Sequence, residues 1–134
     1  MKEIFLYVHI PYCHHKCPYC DFNTAVEANI PEEAYTQALL AEIDFYSGKN
    51  EWRDRALKTI YFGGGTPSIF NPKIYRRLIY SAFSRFKPDQ EIEITLEANP
   101  NDLNFDDLRE LREIGINRLS IGAQSFNAQT LREL

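Results

Sequence analysis

The sequence contains no apolar run approaching the ~20 residues that a membrane-spanning helix needs. Its first residues, "MKEIFLYVHIPYC", lack the basic region, unbroken apolar stretch and small-residue cleavage site of a signal peptide. A basic excess is also missing: 15 lysines and arginines face 19 acidic residues, a formal charge of −4. Strong binding to a nucleic-acid backbone is therefore not expected. Low-complexity stretches, repeats and linkers are absent as well. Cysteine is scarce, with only three residues, Cys13, Cys17 and Cys20. An odd number cannot build a disulfide framework. Without a secretory signal, a reducing cytoplasm is expected, where clustered thiols bind metals or do redox chemistry.

What remains reads as alternating strands and helices. Residues 3–10, 57–62, 91–98 and 117–122 are predicted strands. Residues 31–47 are a predicted helix with Pro31 at its first position and Gly48 as its stop. Its expected inner stripe is Tyr35, Ala38, Leu39, Glu42, Ile43 and Tyr46. A second helix starts at Pro72 behind the cap Asn71 and is ended by Pro88. A third spans 105–114 before Gly115, and a fourth begins near 127. This order implies an α/β fold with a parallel sheet and helical crossovers.

Strand parity refines that reading. Ile92, Ile94 and Leu96 alternate with Glu93, Thr95 and Glu97; Ile4, Leu6, Val8 and Ile10 alternate with Phe5, Tyr7 and His9. Leu119 and Ile121 oppose Ser120, Gly122 and Gln124. A parallel sheet covered on both faces should be apolar on both. One apolar face and one mixed face suit a curved sheet, with helices outside and a wet cavity inside. An open sheet with one solvated face is the alternative.

The three thiols follow the first strand in "PYCHHKCPYCDF". Parallel α/β folds gather their functional groups at that end of the strands. The C-x3-C-x2-C spacing allows convergence on an iron–sulfur cluster. A redox disulfide is a second possibility, although Pro18 and the third thiol suit it poorly. A zinc site completed by His9, His14 or His15 is a third. His14 and His15 lie next to Cys13 inside the loop, where turning onto the same metal is difficult, so solvated loop residues are the preferred reading. His9 otherwise reads as a lumen-facing strand residue hydrogen-bonded to a neighbour.

"CHHKCPYC" resembles the CxxxCxxC signature of the radical S-adenosylmethionine (SAM) superfamily. Together with "GGGTPS", "EANP" and "GAQSF", it resembles the branch that contains oxygen-independent coproporphyrinogen III oxidases and HemW-like heme chaperones. The resemblance runs from about residue 5 to residue 126. It implies the first four βα units of a partial (β/α)6, TIM-like barrel. It also implies a [4Fe–4S] cluster on Cys13, Cys17 and Cys20, whose open iron takes the amino and carboxylate groups of SAM. Gly64, Gly65 and Thr66 would receive the methionyl group, Glu97 the ribose, and Gln124, Tyr7 and Tyr19 would add contacts to SAM or cluster. The chemistry implied is reductive cleavage of SAM to methionine and a 5′-deoxyadenosyl radical.

The oxidases typically carry a fourth cysteine two residues after the third, where this chain has Phe22. That departure favours the chaperone branch, with heme as cargo, an electron donor and a heme-acceptor protein as partners. The alternative is an oxidase decarboxylating porphyrinogen propionates; outside the family, it is a zinc-stabilised interaction module. A full barrel domain takes roughly 250 residues. Residues 1–134 are therefore read as the N-terminal part of a radical SAM core domain, without the rest of the barrel or a C-terminal domain. The isolated chain is expected not to complete the reaction or delivery cycle.

Overall fold

The computed structural model describes residues 2–52 and 54–134. Strand β1 (Glu3–Ile10) is followed by two short strands, β2 (Tyr12–Cys13) and β3 (Ala25–Val26). Helix α1 (Glu32–Ser47), strand β4 (Ala56–Gly64), helix α2 (Pro72–Arg85) and strand β5 (Lys87–Ala98) come next. Helix α3 (Phe105–Glu113), strand β6 (Arg118–Ile121) and helix α4 (Ala128–Glu133) complete the order.

The four longer strands form one parallel sheet in the order β1-β4-β5-β6. Each new strand lies beside the one before it. A doubly wound sheet would reverse direction at a switch point; this one does not. With right-handed crossovers, sequential order puts the covering helices on one face. The other face is left open, as in a segment of a barrel.

Burial follows the strand parities. Ile4, Val8 and Ile10 of β1, Ile60 and Phe62 of β4, and Ile94 and Leu96 of β5 point into one core. α2 covers them with Ile74, Tyr75, Leu78, Ile79 and Ala82, and α3 adds Leu111. Phe62 and Tyr75 meet edge to face, with ring centroids 4.9 Å apart. On the open face, Phe5 is 66% and Tyr7 57% exposed. Thr95 on that face is buried, and its hydroxyl is hydrogen-bonded between Glu93 and Arg118.

Local chemistry sets the helix ends. The Asn71 side chain accepts from the Lys73 backbone N–H, and Pro72 occupies the first turn of α2. Asn104 and Asp107 form a reciprocal capping box on α3. Asn127 caps α4 by accepting from the backbone of Gln129 and Thr130.

Several expectations need correction. Pro31 is the N-cap residue of α1, one position before the helix. Gly48 does end α1, but at φ −72°, so its left-handed freedom is not used. The inner face of α1 is Tyr35, Thr36, Leu39, Leu40 and Ile43; Ala38, Glu42 and Tyr46 are exposed. Thr36 can be buried because its hydroxyl donates back to the Glu32 carbonyl. Strand β5 begins at Lys87 and includes Pro88, so α2 ends at Arg85 without Pro88 in its last turn. β6 stops at Ile121; Gln124 lies beyond the strand, in a left-handed conformation with φ 60°. The pairing of β2 with β3 has no periodic signal in the sequence, because each strand has two residues.

Candidate metal and cofactor site

The C-terminal ends of the sheet strands and the loops after them enclose a cavity of about 480 Å³. The loop after β1 contributes Cys13, Cys17, Tyr19 and Cys20 to its wall. The end of β4 adds Gly64, Gly65 and Thr66; β5 adds Glu97, and the segment after β6 adds Gln124. Tyr7 does not line this cavity. It stacks on Tyr61, with centroids 5.9 Å apart, and faces a separate groove along β1.

The cysteine loop is tied at its base. Tyr12 and Cys13 pair with Ala25 and Val26, and the Ala25 N–H donates to the Pro11 carbonyl at 2.8 Å. Cys13 therefore sits in regular backbone. Cys17 and Cys20 lie on the loop itself, joined by a turn in which Cys20 N–H donates to the Cys17 carbonyl. All three thiols are free. The Thr66 hydroxyl lies 3.3 Å from Cys13 Sγ, and His15 Nε2 lies 3.5 Å from Cys17 Sγ. The Tyr19 phenol is held above its ordinary pKa by desolvation, then by the Cys17 and Cys20 thiols beside it.

β4 ends where backbone must come very close to its neighbours. A Cβ on Gly65 would lie 2.6 Å from the Tyr12 carbonyl oxygen and 2.9 Å from Cys13 Sγ. Gly64 has φ +122°, a region open mainly to glycine, and a Cβ there would meet the His9 ring at 2.6 Å. The triple glycine thus lets β4 end tightly against the cysteine loop.

Glu97 is held from two sides. The Tyr61 hydroxyl donates to Oε1 at 2.6 Å, and the Gly64 N–H donates to Oε2 at 3.0 Å. Each oxygen keeps further lone pairs for a ligand. Tyr61 has its pKa raised, first by this bond to Glu97 and then by partial burial.

His9 ties the loop to β1. Its Nε2 lies 3.2 Å from the Asn23 carbonyl oxygen, which can only accept, so Nε2 carries the proton. Nδ1 is then free to accept from the Tyr7 hydroxyl at 3.2 Å. His9, a candidate zinc ligand by spacing, instead bonds its neighbours Asn23 and Tyr7. Spacing gives no sign of Tyr61 as a site residue. Its place on the open face next to Glu97 is the signal that could have found it. Asn99, Asn101 and Asp102 also line the cavity. Asp102 accepts from Ser68 at 2.8 Å, and His14 Nε2 lies 3.9 Å from its other oxygen. His14 and His15 are exposed, as solvated loop residues should be.

No three His, Cys, Asp or Glu side chains among the described residues form a group that could hold a single metal ion. Cys13, Cys17 and Cys20 are free and line one cavity. An iron–sulfur cluster is held by cysteine thiolates, and three thiols on one cavity are a donor set of that chemistry.

The family model described as "Radical SAM superfamily" matches residues 7–134. The chain belongs to the radical SAM superfamily. Among radical SAM relatives, "Heme chaperone HemW" from Escherichia coli (strain K12) is 40% identical over 135 residues, covering 100% of this chain. The protein of the same description from Bacillus subtilis (strain 168) is 39% identical over 129 residues, 96% of this chain. The mitochondrial "Radical S-adenosyl methionine domain-containing protein 1" of Bos taurus is 35% identical over 96% of the chain. The chain spans about a third of these relatives, 35%, 34% and 29% of their lengths. The solved radical SAM enzyme coproporphyrinogen III oxidase (HemN) from Escherichia coli superimposes with a TM-score of 0.88 at 34% identity. That match covers 98% of this chain and 30% of the oxidase. The parallel sheet is thus of the radical SAM, TIM-like barrel type. No helix among the described residues is long and apolar enough to cross a membrane.

Proposed function

We propose that this chain carries the cluster- and SAM-binding part of a HemW-like heme chaperone. Cys13, Cys17 and Cys20 would hold a [4Fe–4S] cluster. Gly64, Gly65 and Thr66 would receive the methionyl end of SAM, Glu97 its ribose hydroxyls, and Gln124 a further polar group. Tyr19 would flank the cluster; Tyr7 would act at one remove, through Tyr61. The observation that carries the reading is the convergence of three free thiols, the glycine-rich end of β4 and Glu97 on one cavity.

The chemistry such a cluster supplies when bound is one-electron reductive cleavage of SAM. The chain's own residues have simpler tasks. The carboxylate of Glu97 is preset by Tyr61 and Gly64 to accept from a diol. The close approach at Gly65 packs the end of β4 against Tyr12 and Cys13 and so sets it beside the thiols. Phe22, 70% exposed at the cavity rim, occupies the position where the oxidases carry a further cysteine and adds an apolar surface there. This is the feature that favours heme as cargo, with an electron donor and a heme-acceptor protein as partners.

The structural likeness to the oxidase at 34% identity supports the second reading, decarboxylation of coproporphyrinogen propionates. One comparison separates the two. The full-length protein, purified without oxygen, should contain iron and labile sulfide, bind heme on titration and leave coproporphyrinogen III unchanged. Decarboxylated product would establish the oxidase. Zinc in place of iron and sulfide would defeat both.

A further inference from the structure

Lys16 lies between Cys13 and Cys17 and is exposed, but its ammonium is held by the loop. Its Nζ donates to the Phe22 carbonyl oxygen at 2.8 Å and to the Thr24 hydroxyl at 3.0 Å. These acceptors are on the outgoing limb of the loop, beyond Cys20. A single side chain thus bridges the two limbs and encloses Cys17 and Cys20. Among the described residues, the outgoing limb has one other side-chain anchor, the His9 contact to the Asn23 carbonyl at 3.2 Å. Lys16 also lines the cavity that the thiols share.

We infer that Lys16 is a positioning residue for the iron–sulfur cluster, clamping the cysteine loop and fixing a positive charge beside the cluster. The inference rests on the cluster reading proposed above. A cluster with three thiolates becomes more negative on reduction, so a fixed ammonium nearby favours the reduced form. An ammonium has three donors, enough for both acceptors, whereas a methionine side chain of similar length has none.

The test uses the full-length protein and the variants Lys16→Met and Lys16→Arg. In metal-free protein, alkylation of Cys17 and Cys20 should speed up by about two- to fivefold in Lys16→Met, the factor expected of an exposed charged contact. Lys16→Arg should restore the slower rate. In loaded protein, Lys16→Met should show a more negative cluster potential than wild type, and Lys16→Arg one close to wild type. Equal alkylation rates, or equal potentials, in all three proteins overturn the assignment. A wild-type protein that takes up no cluster refutes the function proposed above; the alkylation rates then still decide whether Lys16 clamps the loop.

Discussion

Tyr61 and Glu97 sit on adjacent strands of the open face, and the tyrosine hydroxyl donates to the carboxylate at 2.6 Å. Their spacing of 36 residues is closed by the parallel register that sets Tyr61 beside Thr95. The bond fixes the carboxylate before any ligand arrives. Removing it in Tyr61→Phe should weaken SAM binding by roughly two- to tenfold, the range for one hydrogen bond worth ~0.5–1.5 kcal/mol. Equilibrium dialysis on cluster-loaded protein would measure this. Unchanged affinity would mean that Glu97 needs no such support.

The same pair makes an alkaline prediction. Tyr61 has a raised pKa in the folded chain, with Glu97 the leading cause. A raised folded value means that the neutral phenol is the stabilising form. Its contribution is complete below the ordinary tyrosine value of about 10 and is lost as pH rises through the folded value. Tyrosine-labelled NMR should show Tyr61 ionising late. In Glu97→Gln its titration should move back towards the ordinary value.

Gly64→Ala should destabilise the chain through two faults at once. The position has φ +122°, and the new Cβ would meet the His9 ring at 2.6 Å. The combined cost should be at least ~1–2 kcal/mol, read as a lower urea midpoint. Wild-type stability in this variant would show that β4 can end another way.

Serine at Cys13, Cys17 or Cys20 should each lower iron and sulfide content after anaerobic reconstitution. Serine at an exposed residue off the loop, such as Tyr80, should leave both unchanged. Iron content that survives all three cysteine changes would remove the cluster from this loop.

Core truncation offers a control for folding. Leu96 is fully buried in β5 among side chains of the sheet and helices. Leu96→Ala should cost ~2–5 kcal/mol in urea unfolding, with a spread set by how far the core relaxes. A loss under 1 kcal/mol, roughly the low end for deleting one buried methylene, would place Leu96 outside the core.

Much of the fold could be read in the sequence because each strand writes its two faces in alternate letters. Ile94 and Leu96 against Glu97 is enough to say which side is wet. The helix caps were legible where a single side chain does the work, as at Asn71. Where reading failed, the cause was geometry with little sequence period. The inner face of α1 is rotated towards Thr36 and Leu40 because a threonine can hide its hydroxyl on Glu32, which no apolar stripe reveals. β2 and β3 are too short for any pattern. Gln124 reaches the cavity from a left-handed turn after β6, which counting along a strand cannot foresee. The thiols, Glu97 and the glycine-rich end of β4 were visible as motifs. Tyr61, the support behind Glu97, became visible only once neighbouring strands were in register.

The pairing of Tyr12 and Cys13 with Ala25 and Val26 has a thermodynamic consequence for uptake of a ligand. Bringing the ends of a flexible segment together costs entropy that grows with the logarithm of its length. Here the chain makes that closure when it folds, so the cysteine segment is already a ring with its ends fastened to the sheet. An incoming cofactor has only the inside of the ring left to order, and its affinity is correspondingly higher than an open tail of the same composition could reach.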